Sequence, residues 1–258
     1  MLVDSHCHLD RLDLSPYEND FSRFMEEAEA HLEHMLCIAI ALEAYPDMRR
    51  PVKGYKNVSV TVGVHPNEQG VKEPSVDQLA ALAQEPEVLG IGETGLDYFR
   101  SEGDLGWQHE RFRTHIRAAK RIGKPLVVHT REAKEDTLRI LREEGADAAG
   151  GVLHCFTEDW DMALRALDLG FYVSFSGIVT FNNAKSVQEV ARKMPADRIL
   201  IETDSPYLAP VPFRGKPNYP LYVRYVAERI ADLRGLGLSK VVDLTTRNFY
   251  DLFKGAAN

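Results

Sequence analysis

Short runs of aliphatic and β-branched residues alternate with longer stretches of helical period along the chain. This alternation is typical of a parallel sheet whose strands are joined by crossover helices. Eight such runs predict a (β/α)8 TIM barrel, which is an α/β fold. The predicted strands cover residues 1–4, 35–41, 58–64, 88–92, 125–128, 151–153, 171–175 and 198–202.

Helical patterns fill the sequence between these runs and continue after the last one. They cover residues 17–33, 75–84, 106–123, 134–144, 159–169 and 184–193, with a weaker one at 43–53 that Pro46 and Pro51 interrupt. Two further helices, at 219–234 and 239–253, follow the last strand, and the second is predicted to cap the barrel with Phe249 and Leu252 on one face. No Pro- or Ser-rich linker divides the sequence, so residues 1–258 are predicted to form a single domain.

The charge and composition of the chain argue against some classes of binding partner. The net charge of −8 argues against a nucleic-acid coat or an anionic membrane as the main partner, although a polyanionic substrate could still meet metal ions. The three cysteines form no CxxC motif, which is typical of a reducing cytoplasm. No apolar run approaches the roughly 20 residues of a spanning helix. We therefore expect a cytoplasmic protein without a membrane partner, and no feature indicates an obligate protein partner.

Imidazole and carboxylate side chains stand where the predicted strands end. They are His6, His8, Glu93, His129, His154 and Asp204. The C-terminal ends of barrel strands share one face, where such folds carry their chemistry, whereas core histidines would show no such preference. The set predicts a two-metal site in which Glu93 gives one oxygen to each of two ions about 3.5–4 Å apart.

The residues in and beside this predicted ligand set allow more than one interpretation. His6 and His8 are two residues apart, so in a strand they share a face while Cys7 points away. Asp4 would either orient a ligand histidine or accept backbone hydrogen bonds. Glu93 could instead pair with an arginine in a structural salt bridge.

Two more acids lie near the predicted ligands. Glu202 is predicted to support the site rather than to bind metal, because it lies one layer below Asp204 on the same strand face. Asp97 is predicted to help position the loop after Glu93.

Four residues are predicted to contact substrate. His65 ends the third strand, and Arg131 follows His129 by two residues, from where it could bind a phosphate oxygen. Arg214 and Lys216 supply two cations after a proline-rich turn. For Arg131, Arg214 and Lys216, the alternative is an ordinary position on the surface or at the start of a helix.

Other histidines and aromatic residues receive structural predictions. The histidines at or beside predicted helices are expected on the surface: His31, His34, His109 and His115. Four aromatic residues could stack nucleic-acid bases or simply pack: Tyr98, Trp107, Trp160 and Tyr172.

The motifs at residues 4–10, 63–66, 92–98, 128–131, 151–157 and 201–207, with 214–216, resemble in order and spacing those of one family. It is the TatD-type metal-dependent hydrolases of the amidohydrolase superfamily, within it the YcfH-like branch, and the resemblance spans essentially the whole chain. It implies a TIM-like barrel, two divalent metal ions and hydrolysis of DNA, commonly as a 3′-to-5′ exonuclease using Mg²⁺ or Mn²⁺. Two positions depart from the family pattern, Phe213 where many relatives carry histidine and Tyr219 where glutamate or glutamine is common.

Carried over from the family, His6, His8, Glu93 and Asp204 would hold one ion, and Glu93, His129 and His154 the other. Catalysis would then rest on Glu93 and on Asp204, which would accept a proton from a metal-activated water. The mixed donor set also suits Zn²⁺ or another transition metal. Two alternatives stay open, namely hydrolysis of another ester or amide, such as an aminoacyl ester, and a weakly catalytic metal-dependent binding protein.

Overall fold

The computed structural model describes residues 1–256, and in this part of the chain eight strands form one sheet in chain order. Every neighbouring pair is parallel. The strands are β1 Leu2–Cys7, β2 Leu32–Cys37, β3 Val58–Val62, β4 Val88–Asp97, β5 Leu126–Arg131, β6 Gly151–Leu153, β7 Tyr172–Phe175 and β8 Ile199–Ile201. This order confirms the predicted (β/α)8 barrel.

The sheet closes where β1 meets the segment after β8. The backbone N–H of Asp204 donates to the carbonyl of His6 at 2.9 Å, and the N–H of His8 donates to the carbonyl of Ser205 at 2.8 Å. Cys7 and Ser205 form a parallel bridge between these hydrogen bonds. The closure therefore fixes three of the predicted ligands relative to one another.

Nine α-helices surround the sheet in the described part of the chain. They are α1 Phe21–His31, α2 Tyr45–Val52, α3 Val76–Leu82, α4 Gly106–Ile122, α5 Lys134–Glu143, α6 Trp160–Leu167, α7 Lys185–Lys193, α8 Val223–Arg234 and α9 Leu238–Leu252. None of them, over residues 1–256, combines the length and apolarity needed to cross a membrane.

Helix α9 provides the predicted cap of the barrel. Phe249 and Phe253 are fully buried and pack with the strand residues Val3, Leu36 and Leu89 in one cluster. Leu252 contacts the same cluster. The barrel interior is thus filled with apolar side chains at one end, which leaves the opposite end for polar groups.

Helix α1 and strand β2 differ from the sequence prediction. The helix begins at Phe21 rather than at residue 17, because the Asp20 side chain caps it by accepting from the N–H of Ser22 at 2.9 Å. Leu32 then takes an extended conformation directly after the helix, so β2 begins three residues earlier than predicted. No turn residue separates α1 from β2, so the sequence pattern does not mark the boundary between the helix and the strand.

Strand β4 continues beyond the predicted end at residue 92. It runs to Asp97 and pairs Gly95 with His129 and Asp97 with Arg131. A Cβ atom at Gly95 would lie 2.0 Å from the carbonyl oxygen of His129, so only glycine lets the two strands approach here. Glu93 therefore lies inside a strand, beside β5, rather than at a strand end.

The prediction of surface positions for His34 and His115 is wrong. His34 is 2% exposed, and its Nε2 lies 2.9 Å from Ser59 Oγ. His115 is fully buried: its Nε2 accepts from the N–H of Val64 at 3.0 Å, while its Nδ1 donates to the Arg111 carbonyl at 2.7 Å. Burial lowers the pKa of each histidine to about 4. Surface position could not be inferred from helical context alone.

We predict that buried His115 makes the protein less stable in acid. Its pKa falls from 6.5 to about 4 on folding, so the unfolded chain binds the proton first. The free energy of unfolding should therefore decrease as pH falls from 6.5 towards 4, by roughly 2–3 kcal/mol for this one group. Urea unfolding of wild type and His115→Gln at neutral pH and at about pH 4.5 measures this contribution.

The His115→Gln variant should lose that part of the pH dependence, because its amide does not titrate. His31→Gln, at an exposed helix end, is the matched control and should keep the wild-type pH dependence. Equal acid sensitivity of His115→Gln and wild type would contradict the assignment.

Candidate metal centre

Glu93 lies at the centre of a histidine cluster at the open end of the barrel. It is 3% exposed, and its Oε1 lies 2.8 Å from His154 Nε2 and 3.1 Å from His129 Nδ1. Its other oxygen, Oε2, lies 3.5 Å from His6 Nε2. The two carboxylate oxygens thus face different histidines, and imidazoles rather than an arginine surround this acid.

Asp204 supplies a second carboxylate on the β1 side of the cluster. Its Oδ1 lies 3.5 Å from His8 Nε2 and 3.6 Å from His6 Nε2. Its backbone φ of 56° is in the left-handed region, which aspartate tolerates better than most residues. Together with the closure hydrogen bonds, this conformation turns the carboxylate towards the two histidines.

The cluster keeps both acids ionised. Burial alone would raise the pKa of Glu93, but His154, His65 and His129 outweigh it and hold that pKa well below its usual range. Burial opposes ionisation of Asp204 too, and the hydrogen bond from His8 with the charge of His6 lowers its pKa. Ionised carboxylates are the form that binds cations.

Two further carboxylates contact His129 and His154 through the ring nitrogen that faces away from Glu93. Asp97 Oδ2 lies 3.0 Å from His129 Nε2, and Glu202 Oε1 lies 3.4 Å from His154 Nδ1. In each histidine the other ring nitrogen faces Glu93. Carboxylate–histidine pairs of this kind fix the ring and its tautomer in metal sites.

Asp97 also holds the loop after β4. Its Oδ1 accepts from the N–H groups of Phe99 at 3.0 Å and Arg100 at 2.9 Å. The loop function was expected from the sequence, but the contact with His129 was missed. No sequence signal indicates this contact, because it depends on the register of β4 against β5.

Asp4 accepts hydrogen bonds from the backbone and does not contact the ring of a predicted ligand histidine. Its Oδ1 accepts from the N–H groups of Thr203 at 2.9 Å and His6 at 3.2 Å. Burial raises its pKa to about 8. The side chain therefore ties β1 to the end of β8, which corresponds to the backbone alternative.

The donor set fits a divalent cation. Neither ring nitrogen of His6 has a hydrogen-bond partner among residues 1–256, although both are buried. Leaving such atoms unpaired costs about 1–3 kcal/mol each. Donor atoms of His6, His8 and Glu93 lie within 4.8 Å of one another, as do those of His65, Glu93 and His129. Metal–donor bonds of about 2.0–2.2 Å require donors spaced in this range.

A cavity of about 740 Å³ opens above this cluster. Among the predicted substrate contacts, His65 and Arg131 line it. His65 Nε2 lies 3.2 Å from Glu93 Oε1, which is nearer to the centre than its prediction as a substrate contact implied.

Arg214 and Lys216 are absent from the lining formed by the described residues. Arg214 Cζ instead lies 4.3 Å from the centre of the Phe181 ring, and Lys216 is exposed. Their part in substrate binding stays a prediction.

Several residues that line the cavity were not predicted from the sequence, among them Asn67, Arg11 and Tyr207. Asn67 donates from Nδ2 to Asp97 Oδ2 at 2.9 Å, and Arg11 Nη1 lies 3.4 Å from the hydroxyl of Tyr207. Arg11 follows His8 by three residues. The reasoning that selected Arg131, a cation just beyond a ligand, would also have selected Arg11.

The four aromatic residues considered for base stacking have packing partners. Trp107, Trp160 and Tyr172 lie against the cationic groups of Arg111, Lys193 and Arg198, respectively. The Tyr98 hydroxyl donates to Asp136 Oδ2 at 2.7 Å.

The two departures from the family pattern also pack. Phe213 stacks on Tyr222 with 4.3 Å between ring centres, and the Tyr219 hydroxyl donates to the Asp13 carbonyl at 2.9 Å.

Known proteins resemble this chain over nearly its whole length. The family described as TatD related DNase matches residues 3–254. The metal-dependent hydrolase YcfH of Escherichia coli is 49% identical over 254 residues, covering 98% of this chain and 95% of that protein. The Salmonella typhimurium protein named 3′-5′ ssDNA/RNA exonuclease TatD is 34% identical over 206 residues, 78% of this chain and 79% of that protein.

A solved structure agrees with both the fold and the family. The crystal structure of the TatD homologue YjjV from Escherichia coli superposes with a TM-score of 0.87 at 27% identity, covering 98% of this chain and 97% of that one. With a family match over residues 3–254 and a relative at 49% identity, this chain belongs to the TatD-related DNase family of metal-dependent hydrolases.

Proposed function

We propose that this protein is a two-metal phosphodiesterase that removes nucleotides from the 3′ end of single-stranded DNA. The observation that carries the proposal is the buried Glu93, whose two oxygens face different histidines at 2.8–3.5 Å. A carboxylate shared in this way suits two cations at the separation used in phosphodiester hydrolysis. The name of the Salmonella relative supports the substrate class.

One ion would be held by His6, His8, Glu93 and Asp204, and the other by Glu93, His129 and His154. The carboxylates suit Mg²⁺ or Mn²⁺, while the imidazoles also allow Zn²⁺ or another transition metal. Two divalent cations would exceed the charge of Glu93 and Asp204, so the cavity would become cationic within a protein of net charge −8. This charge would attract a phosphodiester.

When bound, such cations lower the pKa of a water and stabilise negative charge on a phosphate. Asp204 lines the cavity in its ionised form and would accept the proton that the attacking water loses. Arg131, two residues beyond His129, would donate hydrogen bonds to a phosphate oxygen. Asp97 and Glu202 would keep the His129 and His154 rings aimed at Glu93.

The direct experiment incubates the Mn²⁺- or Mg²⁺-loaded protein with 3′-labelled single-stranded DNA. The label should leave as a mononucleotide, and EDTA should stop its release. Asp204→Asn should lower the rate about 10²- to 10⁴-fold, because the proton acceptor is lost. Asp232→Asn, an exposed aspartate on α8, is the control and should keep wild-type activity.

Intact DNA in the presence of bound metal would contradict the nuclease assignment. Cleavage of an aminoacyl ester or amide by the same preparation would then favour the alternative hydrolase. Metal binding without any hydrolysis would favour the binding protein.

A second prediction concerns the carboxylates behind the histidines. Asp97→Asn and Glu202→Gln should each weaken Mn²⁺ binding about 10- to 100-fold, because the ring orientation and basicity of His129 or His154 are lost. Calorimetric titration of metal-free protein with Mn²⁺ measures the affinity, and circular dichroism checks the fold. Asp232→Asn again serves as control. Wild-type affinity in both variants would show that these acids are only structural.

A further inference from the structure

Two large aromatic side chains are exposed at or beside the cavity: Tyr207 is 47% exposed and Phe99 is 56% exposed. Tyr207 lines the cavity, and Phe99 lies against Arg131, which lines it. A ring that is exposed beside a binding cavity is free to pack against a ligand. The two rings are more exposed than the four aromatic residues considered for stacking above, of which three are half-buried and Tyr172 is buried.

Each exposed ring is paired with an arginine that lines the cavity. Arg131 Cζ lies 3.8 Å from the centre of the Phe99 ring, and Arg11 Nη1 lies 3.4 Å from the Tyr207 hydroxyl. An arginine beside an aromatic ring presents a π surface together with donors for a phosphate. This combination matches the two parts of a nucleotide.

The two pairs adjoin different parts of the metal centre. The Tyr207 ring lies 6.0 Å from the His8 ring, centre to centre, on the side of Asp204. Phe99 follows Asp97 by two residues, and Asp97 contacts His129 on the other side of Glu93. A phosphodiester held by cations beside Glu93 would therefore have one ring–arginine pair near each of its two ester groups.

Hydrogen bonds hold the backbone of both residues in place before any ligand binds. The N–H of Phe99 donates to Asp97 Oδ1 at 3.0 Å, and the N–H of Tyr207 donates to the Asp204 carbonyl at 2.9 Å. Asp97 and Asp204 both belong to the candidate metal centre. The backbone of each aromatic residue is thus positioned relative to that centre, which lowers the entropy lost on stacking.

We propose that Phe99 with Arg131 and Tyr207 with Arg11 are stacking platforms for the two nucleosides that flank the scissile phosphate. This inference rests on the proposed function. Every base has a π face, so the platforms accept any sequence, but they require bases that are not paired in a duplex. They would therefore select single-stranded ends without sequence preference.

The test measures binding separately from hydrolysis. A single-stranded octamer carries 2-aminopurine as its last base and a phosphorothioate in the last linkage, and its fluorescence is titrated with protein. Phe99→Leu and Tyr207→Leu keep apolar bulk but remove the ring, so each should weaken binding about 5- to 100-fold and reduce the quenching of 2-aminopurine. Tyr207→Phe keeps the ring and should retain affinity.

Two controls separate stacking from a general loss of structure. Leu164→Ala removes an apolar side chain of similar exposure, 46%, on α6 away from the cavity, and it should bind like wild type. An octamer without its last two bases should bind wild type weakly, and the two leucine variants should bind it no more weakly than wild type does.

Wild-type affinity of both leucine variants for the intact octamer would overturn the proposal. So would an equal loss of affinity for the intact and the base-free octamers. Failure of the wild-type protein to release the 3′ nucleotide from unmodified single-stranded DNA would overturn the proposed function instead, and the binding cycle would still decide whether the rings stack.

Discussion

The burial of one carboxylate, Glu93, organises the open end of this barrel. A buried carboxylate is costly unless positive groups or hydrogen-bond donors surround it. Three imidazoles lie within 3.2 Å of its Oε1, and a fourth lies 3.5 Å from its Oε2. Cations shared through this group would also satisfy His6, whose ring nitrogens have no partner in the described residues.

The same contacts that close the barrel also assemble the site. The backbone hydrogen bonds from Asp204 to His6 and from His8 to Ser205 join β1 to the segment after β8 and bring the side chains of His6, His8 and Asp204 together. At the other end, Phe249 and Phe253 fill the interior with apolar surface. This division separates stability from chemistry, as is usual in barrels, and it explains why residues distant in sequence meet on one rim.

Much of this arrangement follows from the sequence, because strand ends converge in a barrel whatever the details of each strand. His6, His8, His129, His154 and Asp204 could be grouped on that basis. The position of Glu93 inside β4 could not, since it depends on the close approach of Gly95 to β5.

Contacts between elements were the hardest to predict. The burial of His34 and His115 depends on which neighbours pack against them, and no local pattern carries that information. The contact of Asp97 with His129 joins the neighbouring strands β4 and β5, so predicting it requires the register of that pair. The guanidinium of Arg214 lies 4.3 Å from the centre of the Phe181 ring, a contact between distant parts of the chain that the charge of Arg214 does not indicate.

The most direct test of the shared carboxylate is anomalous diffraction from crystals of the Mn²⁺-loaded protein. We expect two manganese peaks about 3.5–4 Å apart, each within bonding distance of one Glu93 oxygen. The peak near Glu93 Oε2 should also contact His6, and the peak near Oε1 should contact His129 and His154. A single peak, or a Glu93 side chain turned away from both ions, would contradict a carboxylate shared between two cations.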